Sequence, residues 1–149
     1  MTINPTNEIY IASWEHSKWL VLSSFFFTFP SIYAYINNLY YYSILLVFTS
    51  LISANYWRKA TYSIRRNLDL FFAKLSFIIF VSNGIVYVKC VPYVITGYSG
   101  LILLLYCYYL SGKLLNIGNE NWYKYHFIFH LIMAYEQFII LDSIKNDLT

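Results

Sequence analysis

Charge is what this chain lacks. Only 11% of its 149 residues are Asp, Glu, Lys or Arg, against 59% hydrophobic and 22% aromatic, and the mean hydropathy is +0.50. A soluble domain of this length must cover itself with polar surface, and too little is available here. The net charge of +3 gathers on no basic face, only in one local run, so the composition does not point to a nucleic-acid partner. Cysteine is scarce as well. Cys90 and Cys107 are too few and too unpatterned for a disulfide framework or a Cys-rich zinc site, and they read as small packing residues. There is no usable Asn-x-Ser/Thr acceptor, because Asn4-Pro5-Thr6 has proline in the middle. A cleaved signal is not expected either, since Glu8 and Glu15 stand where its basic region should be.

What is present is a set of five long apolar runs, at about 18–36, 39–57, 68–88, 91–111 and 122–141. Each approaches the roughly 20 residues a helix needs to cross a bilayer. None alternates with period two, so strands are not expected, whereas helices satisfy their own backbone in hydrocarbon. The expected fold is therefore all-α: a polytopic integral membrane bundle of five transmembrane helices in one domain, 1–149. Pro30 interrupts the first run as a tolerated kink. Asn37-Asn38 reads as a tight polar turn, Arg58 to Asn67 as a basic ten-residue loop, and Gly112 to Asn121 as the link to the last run. Ahead of the first run, Asn4-Pro5-Thr6 reads as a turn and Ile9 to His16 as a short interfacial helix.

Orientation follows from the basic residues, because cytoplasmic loops hold their excess. With the N-tail and the second and fourth loops on one side, that side has seven: Lys18, Arg58, Lys59, Arg65, Arg66, Lys113 and Lys124. The other side has Lys89 and Lys145, with Lys74 inside the third run. The expectation is a cytoplasmic N-terminus and an external C-terminus. All four tryptophans, Trp14, Trp19, Trp57 and Trp122, fall at the same end of their runs, as a one-sided interfacial anchor layer would.

Inside the last run sit His126, His130 and Glu136. Ionisable groups are costly in hydrocarbon, so they are by default a hypothesis about a site. The two histidines are four apart, which stacks both imidazoles on one helical face, suitable for holding a metal. At 1.5 Å per residue they lie roughly 6 and 12 Å below Trp122, level with Ser53 near the end of the second run and Asp69 at the start of the third. His16 in the tail is the remaining histidine and a weak candidate for a third ligand.

Ser53 with position 57 four later, Asp69 twelve after that, and His126-x-x-x-His130 in the last run together resemble the CREST superfamily. That group comprises alkaline ceramidases, progestin and adiponectin receptors and GPI-remodelling hydrolases. The resemblance covers three short blocks, and Trp57 stands where the family has a zinc-binding His. It implies zinc on His126 and His130, Asp69 orienting or activating the zinc water, Ser53 on the oxyanion, and a lipid amide or ester as substrate entering from the membrane.

Plainer readings stand beside it. His126 and His130 also suit interhelical hydrogen bonds, Asp69 an ion pair with Arg65 or Arg66 a turn earlier, and Ser53 a bond to its own preceding turn. Trp57 reads as a belt anchor, Gln137 as an extension of the histidine face, and Glu136 as protonated or snorkelling outward. Thr96 and Gly100 form a small-xxx-small pair favouring close packing. The functional expectation is a metal-dependent lipid hydrolase, shortened and divergent. The alternative is a non-catalytic membrane subunit, with membrane lipids and other membrane proteins as partners.

Overall fold

The computed structural model describes residues 10–148, and every extended element among them is an α-helix. The chain runs through α1 (Trp14–Ser24), α2 (Thr28–Ile36), α3 (Tyr40–Arg58), α4 (Ile64–Tyr87), α5 (Val91–Asn116) and α6 (Trp122–Leu148). Four helical stretches are long and apolar enough to cross a membrane: Trp14–Ile36, Ile64–Tyr87, Val91–Asn116 and Trp122–Leu148. The 19-residue α3 is not among them.

α1 and α2 are one rod, joined by a tight 3-10 turn over Phe25–Phe27. Pro30 explains that turn. It has no N–H to give to Phe26, and its ring crowds that carbonyl, so the helix winds tighter just before it. The expected kink is thus a local change of winding. At the next corner Asn38 takes a left-handed φ of 61°, which asparagine tolerates. Leu39 N then donates to Ala34 O at 2.8 Å and closes the helix end. Gly118, with φ 73°, does the same after α5, where Asn119 N donates to Leu114 O at 2.9 Å.

The basic loop is shorter than its composition predicts, because α4 begins at Ile64 and takes Arg65 to Asn67 into its first turn. Residues 59–63 remain, and they pair with the segment before α1. Ile11 N donates to Ala60 O at 2.8 Å, and Tyr10 and Thr61 form a single antiparallel bridge. The expected short helix from Ile9 to His16 is therefore corrected: Tyr10 to Ala12 are a bridge and a bend against this loop, and the helix begins at Trp14. Ile9 and the expected Asn4-Pro5-Thr6 turn lie outside the described residues.

α6 is the hub. It packs against α1, α2, α4 and α5, while α3 packs against α1, α2 and α4. Packing faces are rich in small polar groups: Ser43, Ser50 and Ser53 of α3 are buried, as are Ser17, Ser23 and Ser24 of α1. Large apolar side chains such as Phe71, Ile78, Ile95 and Ile102 face outward. α3 is two-faced: its serines lie on the packing side, while Ile44, Phe48 and Leu51 face outward.

Candidate functional site

The first turns of α6 hold both histidines side by side, with ring centroids 5.0 Å apart and planes at 72°. His130 is buried, and its Nδ1 lies 2.7 Å from Ser23 Oγ on α1. Ser23 Oγ also donates to Leu20 O at 3.1 Å. Either the hydroxyl or the Nδ1–H donates across the 2.7 Å contact, according to the tautomer of the ring. The phenyl ring of Phe27 closes over the imidazole at 5.3 Å.

His126, one turn earlier on the same side of α6, meets α3 and α5. Its Nδ1 is 3.3 Å from Ser111 Oγ, and the ring of Trp57 stands edge-on at 4.9 Å between centroids. Trp57 is itself buried, in tilted ring contact with Tyr56 at 4.6 Å and Trp122 at 5.9 Å, and its Nε1–H has no hydrogen-bond acceptor among the described residues.

Beside the histidines runs a line of hydroxyls. Ser24 Oγ reaches Leu20 O at 2.7 Å and Ser53 Oγ at 3.0 Å, and Ser50 Oγ donates to Ser24 O at 2.9 Å. Asp69 in the first turns of α4 lies near the Ser53 hydroxyl across the α3–α4 contact. The sequence reading set Ser53 and Asp69 at one depth, and the fold has them on the adjacent helices α3 and α4. Asp69, His126, Trp57, Arg66, Tyr108 and Ser111 together line a cleft of about 650 Å³ between α3, α4, α5 and α6. Arg66 lies over the Tyr62 ring at 5.2 Å, and Lys113 lines the same cleft.

His16 is elsewhere. It accepts or donates a 3.3 Å contact with Ser13 Oγ and stacks on Tyr123 at 4.8 Å, over the start of α6. Gln137 does extend the histidine face inward: it is buried, and its Nε2 donates to Ser76 Oγ at 3.3 Å. Glu136 does not snorkel. It is buried against α5, where a Cβ built on Gly100 would collide with its Oε1. The close-packing pair on α5 is therefore Gly97 and Gly100, three apart, and not Thr96 and Gly100; Thr96 bonds back to Pro92 O at 2.8 Å. Sequence reading missed Ser23, Ser24 and Ser111. Their only advance signal is the recurrence of serine at helical spacing, as in Ser17 with Ser24 and Ser50 with Ser53.

A zinc ion needs three or four N, O or S donors converging on one point. Among the described residues no three His, Cys, Asp or Glu side chains converge in that way. The set stops at two imidazoles, since the indole of Trp57 has an N–H and no lone pair to give. The described residues therefore do not by themselves fit the metal that the resemblance implies. Neither a family model, nor a curated protein, nor a solved structure matches the chain.

Proposed function

We propose that this chain is a multi-pass integral membrane protein of five spans, with its N-terminus cytoplasmic, that binds a lipid headgroup in the α3–α6 cleft without hydrolysing it. On this reading it is a CREST-like frame whose third zinc ligand is replaced. The observation that carries it is Trp57, buried 4.9 Å from His126 at the position where the family has an imidazole. Its indole fills the ligand's place with an unpartnered N–H donor. Further support comes from the lining of the cleft, where Arg66, Lys113 and Ser111 add two cations and a hydroxyl suited to a phosphate. The outward apolar faces of α4 and α5 supply the lipid-facing surface that the reading needs.

Metal analysis of the protein purified in detergent tests it. The wild type is expected to be zinc-free, whereas Trp57→His restores a third imidazole and takes up about one zinc per chain, an uptake that His126→Ala abolishes. Near-stoichiometric zinc in the wild type overturns the non-catalytic reading and restores metal-dependent lipid hydrolysis. The headgroup claim has its own measurement in the same preparation. Retention of anionic over zwitterionic phospholipid should fall about thirtyfold in the Arg66→Gln, Lys113→Gln double variant, at roughly 1 kcal/mol per cation.

A further inference from the structure

α4 and α5 follow one another through a link of only three residues, 88–90, yet they scarcely touch. Both lean instead on α6, and a crevice of about 200 Å³ is left between them. By the roughly 30 Å³ that one water occupies in the liquid, it holds about half a dozen methylene-sized groups. Its walls are hydrocarbon, with Phe77, Phe80 and Val81 on α4 and Leu101 and Leu104 on α5. Ile85 and Tyr98, 71% and 61% exposed, stand at its outer rim.

The floor of this crevice is polar. Glu136 and Gln137 of α6 both line it, 9% and 1% exposed, and the Oε1 atom of each is buried without a hydrogen-bond donor. Gln137 is held in place by its own Nε2, which donates to Ser76, so its carbonyl oxygen is fixed and available. A buried acceptor without a donor is costly, and a carboxyl more so. Two adjacent ones in an apolar crevice define what completes the site: a group that donates. Small residues hold the space open. A Cβ on Gly84 would meet Ile140 at 3.3 Å, and one on Gly97 would meet Glu136 Oε2 at 3.6 Å.

We infer that the α4–α5 crevice is a second binding site, for a single-chain amphiphile whose polar end, an ammonium or a hydroxyl, donates hydrogen bonds to Glu136 and Gln137. The alkyl chain lies along the apolar walls. An ester, ether or ketone end is rejected because it sets acceptor against acceptor. A fatty carboxylate, itself an acceptor, is disfavoured beside the fixed Gln137 carbonyl on the same ground. This site rests on neither the histidines nor the headgroup cleft.

The test uses the full chain in phosphatidylcholine nanodiscs and three photoreactive probes of equal chain length: an alkylamine, an alkanol and an alkyl methyl ester. Saturable labelling of crevice residues by the amine or the alkanol, at least tenfold above the ester, is expected. Glu136→Leu should lower the donor probes' affinity roughly ten- to hundredfold, as for loss of a charge-assisted hydrogen bond. Glu136→Gln separates the two sources, since it selectively weakens an ammonium and spares a hydroxyl. Val81→Trp, which fills the crevice from α4 and leaves residue 136 unchanged, should block every probe even if the Glu136 variants fold poorly. Equal labelling by all three probes, labelling indifferent to both Glu136→Leu and Val81→Trp, or crosslinks between copies of the chain in place of probe adducts would each overturn the inference.

Discussion

At the scale of single residues, Gly100 shows how one hydrogen atom in place of a methyl sets a helix contact. A Cβ there would also come within 2.7 Å of the Glu136 carboxyl carbon, whereas at Gly97 the nearest atom is Oε2 at an ordinary 3.6 Å. The two glycines should therefore respond oppositely to alanine. Gly100→Ala forces the Glu136 side chain off its place and is expected to destabilise by about 1–3 kcal/mol. Gly97→Ala only removes backbone freedom from a helix interior and should be neutral or stabilise by up to about 1 kcal/mol. Thermal unfolding in detergent compares them directly, and equal losses from both would refute the contact. Glu136 and Gly100 were each conspicuous in the sequence. Their pairing was not, because it depends on the rotation of α5 about its own axis, and a helix apolar on almost every side records no such angle.

Elements were easier to read than their faces. Long apolar runs and short polar breaks located all the helices, and Asn37-Asn38 and Pro30 acted where their backbone chemistry says they must. Charge misled at α4, since Arg65 and Arg66 read as loop but occupy a first helical turn. The serine line between α1 and α3 escaped notice for a physical reason: serine in an apolar helix bonds by default to its own preceding turn, as Ser24 does with Leu20 O, and nothing local says that it also crosses to Ser53. The closeness of α1 and α3 rests on these small side chains more than on their hydrogen bonds. Ser50→Ala gives up one bond to Ser24 O and should cost about 0.6 kcal/mol, the usual worth of such bonds between membrane helices. Ser50→Leu keeps the apolar character but adds volume to a fully buried position, and should cost several times more, roughly 1–3 kcal/mol. Were the leucine variant as stable as the alanine one in the same unfolding assay, hydrogen bonding would outrank packing at this contact.

The whole molecule has two unlike ends, and that polarity carries the candidate site. Trp57 and Trp122 meet at 5.9 Å at the end that also bears Arg66, Lys113 and the cleft. The opposite end bears Lys89, paired with Asp147 at 2.6 Å, and Asp142, which accepts from Tyr33 at 2.6 Å. Seven basic residues against two put the cleft end in the cytoplasm on the proposed orientation, where anionic headgroups concentrate. The chain carries its own reporter for this. Cys90 is exposed in the α4–α5 link at the far end, while Cys107 is buried in α5. A membrane-impermeant maleimide should therefore label the unmodified protein once, at Cys90, from the external face of intact cells, and should miss Cys107 until the protein is denatured. Cys90→Ser should remove the signal, and a cysteine placed at Asn119, in the α5–α6 link at the cleft end, should react only after the membrane is opened. Labelling of Cys90 only from the cytoplasmic side would reverse the orientation. It would also move the His126 cleft to the leaflet poorer in anionic lipid, so the headgroup reading depends on this result.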